Sequence, residues 1–240
     1  MLVREVVTET HDTKTLILED KEEGGRPFDY VPGQYLTFRF DDLAEKPVVR
    51  SYTMSSAPCD GNFSAVTVKE VEDGFVSSYL CKDVKAGDIL RARGPIGKFC
   101  YEPAKDHKTL SMVAAGSGVT PFISIMKGHK ETLGQEGSPE KMILLVSYRT
   151  KDDLICMKEI EELRRVPGIR IEISLTRDPS PGEGFLEGRI SAGMLDQVFG
   201  DYQEQTFMTC GPEQMMQLVK QQVLDHQVPP EHMKMESFDN

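Results

Sequence analysis

Several residues of this chain that could handle phosphates, sugars or a reactive carbon fall just after apolar, strand-like runs. The run LSMVAAGSGVTP reads as a strand, a glycine turn and a helix beginning near Thr120. Gly116 and Gly118 would let the backbone approach a pyrophosphate, and the first amides of the helix would point at its negative charge. The pattern is GxGxxP, without the third glycine of the usual dinucleotide fingerprint, so by itself it is equally well a tight strand-to-helix turn. Three further strand ends carry chemistry: Tyr148 and Arg149 follow KMILLVS, Thr176 and Arg177 follow IRIEISL, and Cys210, Gly211 and Pro212 follow QTFMT. Ligands of open α/β sheets bind outside the carboxyl ends of the strands, so these residues converge on one crevice with the glycine turn. A cysteine in such a place is ordinarily a small buried residue, and no histidine adjoins Cys210 in sequence to act as its base.

The elements that must position these residues divide the chain in two. From about residue 107 apolar strand runs alternate with helical stretches: TLSMVAA, TPFISIMKGHKETL, KMILLVSY, ICMKEIEELRR, IRIEISL, SAGMLDQVF, QTFMTC and PEQMMQLVKQQVLDH. That βα alternation predicts an α/β domain with a doubly wound parallel sheet. Before it, TKTLILE, QYLTFRF, VRSYTMS, FSAVTVKEV and DILRARG are short β-rich runs separated by turn residues at 30–35, 57–62 and 94–98. They predict an antiparallel β-barrel or sandwich, interrupted by one helix over GFVSSYLCKDV. The switch in period falls at YEPAKDHK, which places the first domain at 1–103 and the second at 104–240.

Composition removes several classes of function. With 28 Lys+Arg against 39 Asp+Glu the net charge is −11, which opposes a nucleic-acid partner. The start MLVREVVTET lacks the apolar run of a secretory signal, and no stretch of about 20 apolar residues exists to insert in a membrane; a soluble cytoplasmic protein is expected. Cys59, Cys81, Cys100, Cys156 and Cys210 are scattered and never form CxxC, and the five histidines lack ligand spacing, so no metal site is expected.

Three motifs in order, Arg50-Ser51-Tyr52-Thr53-Met54-Ser55, Gly116-Ser117-Gly118-Val119-Thr120-Pro121 and Thr209-Cys210-Gly211-Pro212, resemble those of the ferredoxin–NADP reductase superfamily. The layout, with EGFLEGRI and MTCGP, is similar to reductases of the hybrid-cluster and phenol-hydroxylase types. The resemblance covers essentially the whole chain and implies an FAD-binding barrel followed by an NAD(P)-binding domain. It implies that Arg50 neutralises the FAD pyrophosphate, that Tyr52 packs against the flavin and that Thr53 lies near its N5, roles that suit a guanidinium, an aromatic face and a hydroxyl. Ser55 belongs to the same segment. Val68 and Lys69 with Gly74, Phe75, Val76 and Ser77 resemble the second FAD segment, where a helix start receives the pyrophosphate. Thr120 and Cys210 would flank the nicotinamide as its C4 approaches the flavin, alignment being the protein's main share of hydride transfer. Glu236-Ser237-Phe238 resembles an acid-x-aromatic ending in which Phe238 covers the flavin face and Glu236 pairs with Thr53 to relay a proton. Asp239 and Asn240 extend past the usual terminus and set the stacking of Phe238 in question.

Thr176-Arg177 and Gly188-Arg189-Ile190 resemble the positions that recognise a 2′-phosphate, which favours NADPH over NADH. A flavin of this family usually passes electrons to an iron–sulfur protein, flavodoxin, haem protein or oxygenase. Because the chain lacks a cluster-binding set of cysteines, the acceptor is expected to be a separate protein, or this chain part of a longer one. The alternatives are a flavin or quinone reductase with a small-molecule acceptor, and a non-catalytic flavin-binding subunit of an electron-transfer complex.

Overall fold

The structure is a computed structural model that describes residues 1–238; Asp239 and Asn240, on which the question of an extended terminus turned, lie outside the described residues. The first half contains β1 (Leu2–Thr10), β2 (Thr13–Glu19), β3 (Tyr35–Phe40), β4 (Val48–Thr53), β5 (Ser64–Lys69), helix α1 (Phe75–Lys82) and β6 (Arg91–Ile96). All its strand pairs are antiparallel, in two three-stranded sheets of order β1-β2-β5 and β4-β3-β6. Single bridges, Met54 to Val66 and Leu2 to Ile89, join the sheets at both seams and close the barrel. Alternation does the packing: Leu36, Phe38 and Phe40 of β3 meet Leu16, Leu18, Val66 and Val68 inside, with Val76 and Leu80 of α1 plugging one end. The opening residues, not among the strand runs read from the sequence, form β1. The sixth strand runs through Gly94 and Pro95, expected to be turn residues; they fall at a bulge in the β3–β6 register, between the Thr37–Arg93 and Tyr35–Ile96 pairs, where proline is tolerated.

The second half adds β7 (Thr109–Ala115), α2 (Thr120–His129), β8 (Lys141–Tyr148), α3 (Met157–Leu163), β9 (Ile169–Leu175), β10 (Leu186–Glu187), α4 (Ala192–Phe199), β11 (Gln205–Cys210), α5 (Glu213–Asp225) and β12 (Met233–Glu236). The six strands pair in parallel in the order β10-β9-β8-β7-β11-β12. Helices α2 and α3 cover one face and α4 and α5 the other, giving two apolar cores as a doubly wound sheet requires. The chain winds outward from β7 through β8 and β9, then returns to lay β11 on the other side of β7. The switch point lies between the glycine turn after β7 and Cys210 at the end of β11. Strand β12 was not foreseen as a strand; its register sets Glu236 beside Cys210.

The halves meet over a specific interface. The Ser124 hydroxyl of α2 donates to Ser56 O at 2.6 Å, and Lys127 forms a largely buried 2.6 Å ion pair with Asp60. Gly128 lies so close to Pro32 that a methyl group there would come within 2.4 Å of its ring. At the other side of the contact Lys234 of β12 donates to Cys100 O, Glu102 and buried Asp106, which ties the last strand to the connector between the halves.

Candidate functional site

Between the halves runs a crevice of about 360 Å³, lined on the sheet side by Ala115 to Gly118, Ser147 to Arg149, Thr176, Gly211 and Pro212. Lys69 of the barrel and Phe238, which is 40% exposed, complete the wall. Of the residues singled out after β7, β8, β9 and β11, Gly116, Gly118, Tyr148, Arg149, Thr176, Gly211 and Pro212 thus come together at the switch point, while Arg177 and Cys210 lie outside the lining. Asp153 and Ile155 also line it and were missed; their only signal was their place in the loop after a parallel strand.

The two glycines of the turn serve different needs. Gly116 has a φ of 55° and nothing within 4 Å of where a side chain would start, so it leaves open space facing the crevice. A Cβ on Gly118 would instead lie 2.2 Å from Cys210 O, so this glycine, which also lines the crevice, allows the turn after β7 to close on the end of β11. The Thr120 hydroxyl is buried and donates to Ser117 O at 3.0 Å, and Pro121 is buried at the start of α2. Arg149 lines the crevice. Arg177 and Arg189 are exposed and lie outside the lining set, each two residues beyond the paired Leu175 and Glu187.

On the barrel side Arg50 is exposed, and its hydrogen bond is to the carbonyl of its neighbour Val49, at 2.8 Å. Tyr52 packs edge-on to Phe38 with ring centres 5.9 Å apart, and burial pushes its phenol up to about 12. Ser55 is buried and accepts from Thr67. Val68 has its side chain in the barrel core, as does Val76, so these two can offer a ligand only main-chain atoms. Lys69 has its charge met by Asp12. At the start of α1, Phe75 is 58% exposed, but the Ser77 hydroxyl is occupied locally: it donates to Gly74 O and accepts from Val71 N, both at 3.1 Å. Gly74 is required there because a Cβ would meet Ser77 Oγ and Val71 O. The helix start therefore presents free amides rather than the serine hydroxyl expected from its sequence.

The side chains of Glu236 and Thr53 approach each other across the two halves, close enough for the hydroxyl to favour the charged carboxylate. Burial raises the Glu236 carboxyl to about 7 despite that approach, and its Oε2 is buried with no hydrogen-bond partner. The Cys210 thiol is fully buried; burial first and the nearby Glu236 second push it far above the ordinary thiol range. It is a neutral packing group, not a thiolate nucleophile.

Comparison with known proteins accords with this geometry. A family model described as the oxidoreductase FAD-binding domain matches residues 1–101, and one described as the oxidoreductase NAD-binding domain matches residues 112–221. The chain belongs to the ferredoxin–NADP reductase superfamily. It is 32% identical over 238 residues to the glycine betaine monooxygenase reductase subunit of Chromohalobacter salexigens, covering 97% of this chain and 62% of that protein. To the NADH oxidoreductase HCR of Escherichia coli it is 31% identical over 93% of this chain and 63% of that protein. The chain thus spans under two thirds of the length of these relatives. In fold it is similar to the flavohem-like FAD/NAD-binding domain of a nitric oxide dioxygenase from Vibrio cholerae, with a TM-score of 0.84, 24% identity, and 98% and 96% of the two chains covered.

As a superfamily member the chain carries an FAD-binding domain and a domain that binds a nicotinamide dinucleotide. The site fits both ligands: Gly116 opens on the crevice, Arg50 offers a free guanidinium face, and the orphaned Glu236 Oε2 awaits a donor beside Thr53. No helix among the described residues is long and apolar enough to cross a membrane.

Proposed function

We propose that this chain takes a hydride from NADPH, in preference to NADH, onto FAD and passes the electrons to a separate protein, an iron–sulfur, flavodoxin or haem protein or an oxygenase. The observation that carries this is the meeting of Glu236 with Thr53: the last strand of the dinucleotide domain delivers a raised carboxyl to the flavin-side strand. FAD, when bound, supplies a ring that accepts two electrons together and releases them singly. The chain's residues do the rest. When FAD is bound, Arg50 and the free amides at the start of α1 would hold the pyrophosphate, Tyr52 and Ser55 would shape the ring site, and Phe238 would cover it and give way to the nicotinamide. The open turn at Gly116 with Gly211 and Pro212 receives the nucleotide, whose nicotinamide Thr120 and Cys210 orient through buried packing. Thr53 and Glu236 would hold a proton for the bound flavin, and a carboxyl raised to about 7 is suited to exchange it at neutral pH. Thr176, Arg177 and Arg189 would read the 2′-phosphate.

A partner protein is supported by the naming of the glycine betaine relative as a reductase subunit. We place the domain boundary at residues 103 and 104, between β6 and β7, with Phe99 and Tyr101 reaching forward into the second domain's core. Five free thiols support a cytoplasmic setting.

Anaerobic mixing with NADPH and then NADH tests the reading: the flavin band of the purified protein bleaches with NADPH faster than with NADH. Cys210→Ser retains the flavin and slows bleaching about tenfold through poorer alignment. Absence of bleaching by either nucleotide would refute the proposal.

A further inference from the structure

The second domain lies against the outer face of the β1-β2-β5 sheet, and a line of polar atoms crosses the contact. Thr15 and Thr67 stand opposite each other in the β2–β5 ladder on that outer face, yet they are only 8% and 4% exposed. Their hydroxyl oxygens are 2.7 Å apart, and Thr67 Oγ1 also lies 2.8 Å from Ser55 Oγ, so its single proton is shared between Thr15 and Ser55. Thr15 also reaches Glu9 Oε1 at 2.7 Å. The other carboxylate oxygen, Oε2, accepts the amide N–H of Cys156 at 3.0 Å, from a residue 147 positions away in the chain. A bulge between Thr8 and Thr10 takes Glu9 out of the β1–β2 register, the kind of irregularity that re-aims a side chain.

What the carboxylate holds is unusual. Cys156 has φ 56° and ψ 31°, a left-handed conformation that a residue with a side chain keeps only where its surroundings over-determine it. Its thiol lies near the Thr67 hydroxyl. The residue before it, Ile155, lines the crevice and accepts from the buried Tyr148 hydroxyl at 3.4 Å. One end of the line therefore fixes the wall of the nucleotide crevice, and the other ends at Ser55, two residues from Thr53.

We propose that Glu9 is a positioning residue for hydride transfer, tying the Ser55 segment of the flavin side to the Cys156 turn of the nucleotide side so that the crevice keeps one width. It acts through Thr15, Thr67 and Cys156. The proposal rests on the hydride-transfer reading above, and it matters because reacting atoms must approach to about 3–3.5 Å, so that a displacement of about 1 Å costs on the order of 100-fold in rate.

The test uses FAD-loaded Glu9→Ala, Glu9→Gln and Thr15→Val proteins in anaerobic rapid mixing with NADPH. Glu9→Ala lowers the limiting rate of flavin reduction about tenfold or more while the half-saturating NADPH concentration moves less than about threefold, and reduction by dithionite is unchanged. Glu9→Gln, which keeps an acceptor for the Cys156 amide, recovers most of that rate; Thr15→Val, which removes the Thr15 bonds to Glu9 and Thr67 but leaves the bond from the Cys156 amide, falls between. With no nucleotide present, amide exchange across residues 154–163 is about tenfold faster in Glu9→Ala. The proposal is overturned by a limiting rate within about twofold of the parent, by a loss that appears in half-saturation instead, by a Glu9→Gln protein as slow as Glu9→Ala, or by unchanged exchange. Should Glu9→Ala not fold, Thr15→Val decides by the same rate, a parental value overturning the role. A parent protein that neither nucleotide reduces removes the hydride-transfer reading and this one with it, whereas a normal parent with unaffected variants removes only the role of Glu9.

Discussion

The two walls of the crevice are built in opposite ways. On the barrel side Lys69 lines the crevice, and Arg50, Tyr52 and Thr53 share one strand, so a single local conformation sets the positions of a guanidinium, a ring and a hydroxyl. On the sheet side Gly116, Ser147, Thr176 and Gly211 stand at or just beyond the ends of four different strands, and what they present is largely main chain shaped by packing. The barrel wall is a set of side chains that can be removed one at a time. The sheet wall is a fit between backbones, and it should fail as a unit.

The sharpest way to break that contrast is to add one methyl group to the sheet wall. Gly118→Ala would force a Cβ to 2.2 Å from Cys210 O, a clash of main chain with main chain, and should cost about 3 kcal/mol or more with loss of nucleotide binding. Gly116→Ala meets nothing within 4 Å and strains only its φ of 55°, a cost of roughly 1 kcal/mol. Urea unfolding of both variants reads the difference, and equal losses would show that the turn is not closed on β11.

Next comes the residue that joins the walls. Because the folded Glu236 carboxyl is raised from 4.5 to about 7, it is protonated in both folded and unfolded chains below pH 4.5 and contributes nothing there. As pH rises from 4.5 through about 7 the unfolded chain ionises first, and the fold loses stability, up to about 3 kcal/mol above that window. Glu236→Gln should abolish this loss, so that the cofactor-free variant is the more stable protein at pH 8 but not at pH 4. Parallel stability curves for the two proteins would mean that Thr53 and solvent already satisfy the carboxylate.

The smallest effects test the barrel wall. Arg50→Met should weaken FAD binding by about 1.5–3 kcal/mol, the worth of a charge-assisted hydrogen bond, and leave stability within about 0.5 kcal/mol. Ser77→Ala should do the reverse: about 1 kcal/mol of stability is lost with the bonds to Val71 N and Gly74 O, while FAD affinity changes less than about threefold. Titration with FAD followed by flavin fluorescence distinguishes the two. A Ser77→Ala protein that binds FAD as poorly as Arg50→Met would return the hydroxyl to the phosphate.

The same contrast explains how much was legible beforehand. A contiguous motif such as Arg50 to Ser55 can be read along the chain, and so can βα alternation, because hydrophobic period reports local conformation. The strand-end residues were legible only through a topological rule, and that rule found Arg149, Thr176 and Gly211 but not Asp153 or Ile155 in the following loop. Strand β12 carried little signal because it is a four-residue edge strand, half-buried at every position, and its placement depends on Lys234 reaching Cys100 and Asp106. Ser77 looked like a phosphate ligand because composition cannot say that its proton and lone pair are already in use.

Sequence alone determined the division into an antiparallel half and a parallel half, the order of the motifs and the family they resemble, since these depend on residue type and spacing along one chain. Tertiary structure decided which groups face one another. It made Gly118 a contact between the turn after β7 and the end of β11 and left Gly116 open, and it brought Glu236 to Thr53 and Glu9 to Cys156. Those pairings join residues far apart in the chain, and only the docking of one fold against the other, which buries them away from water, gives them their chemistry.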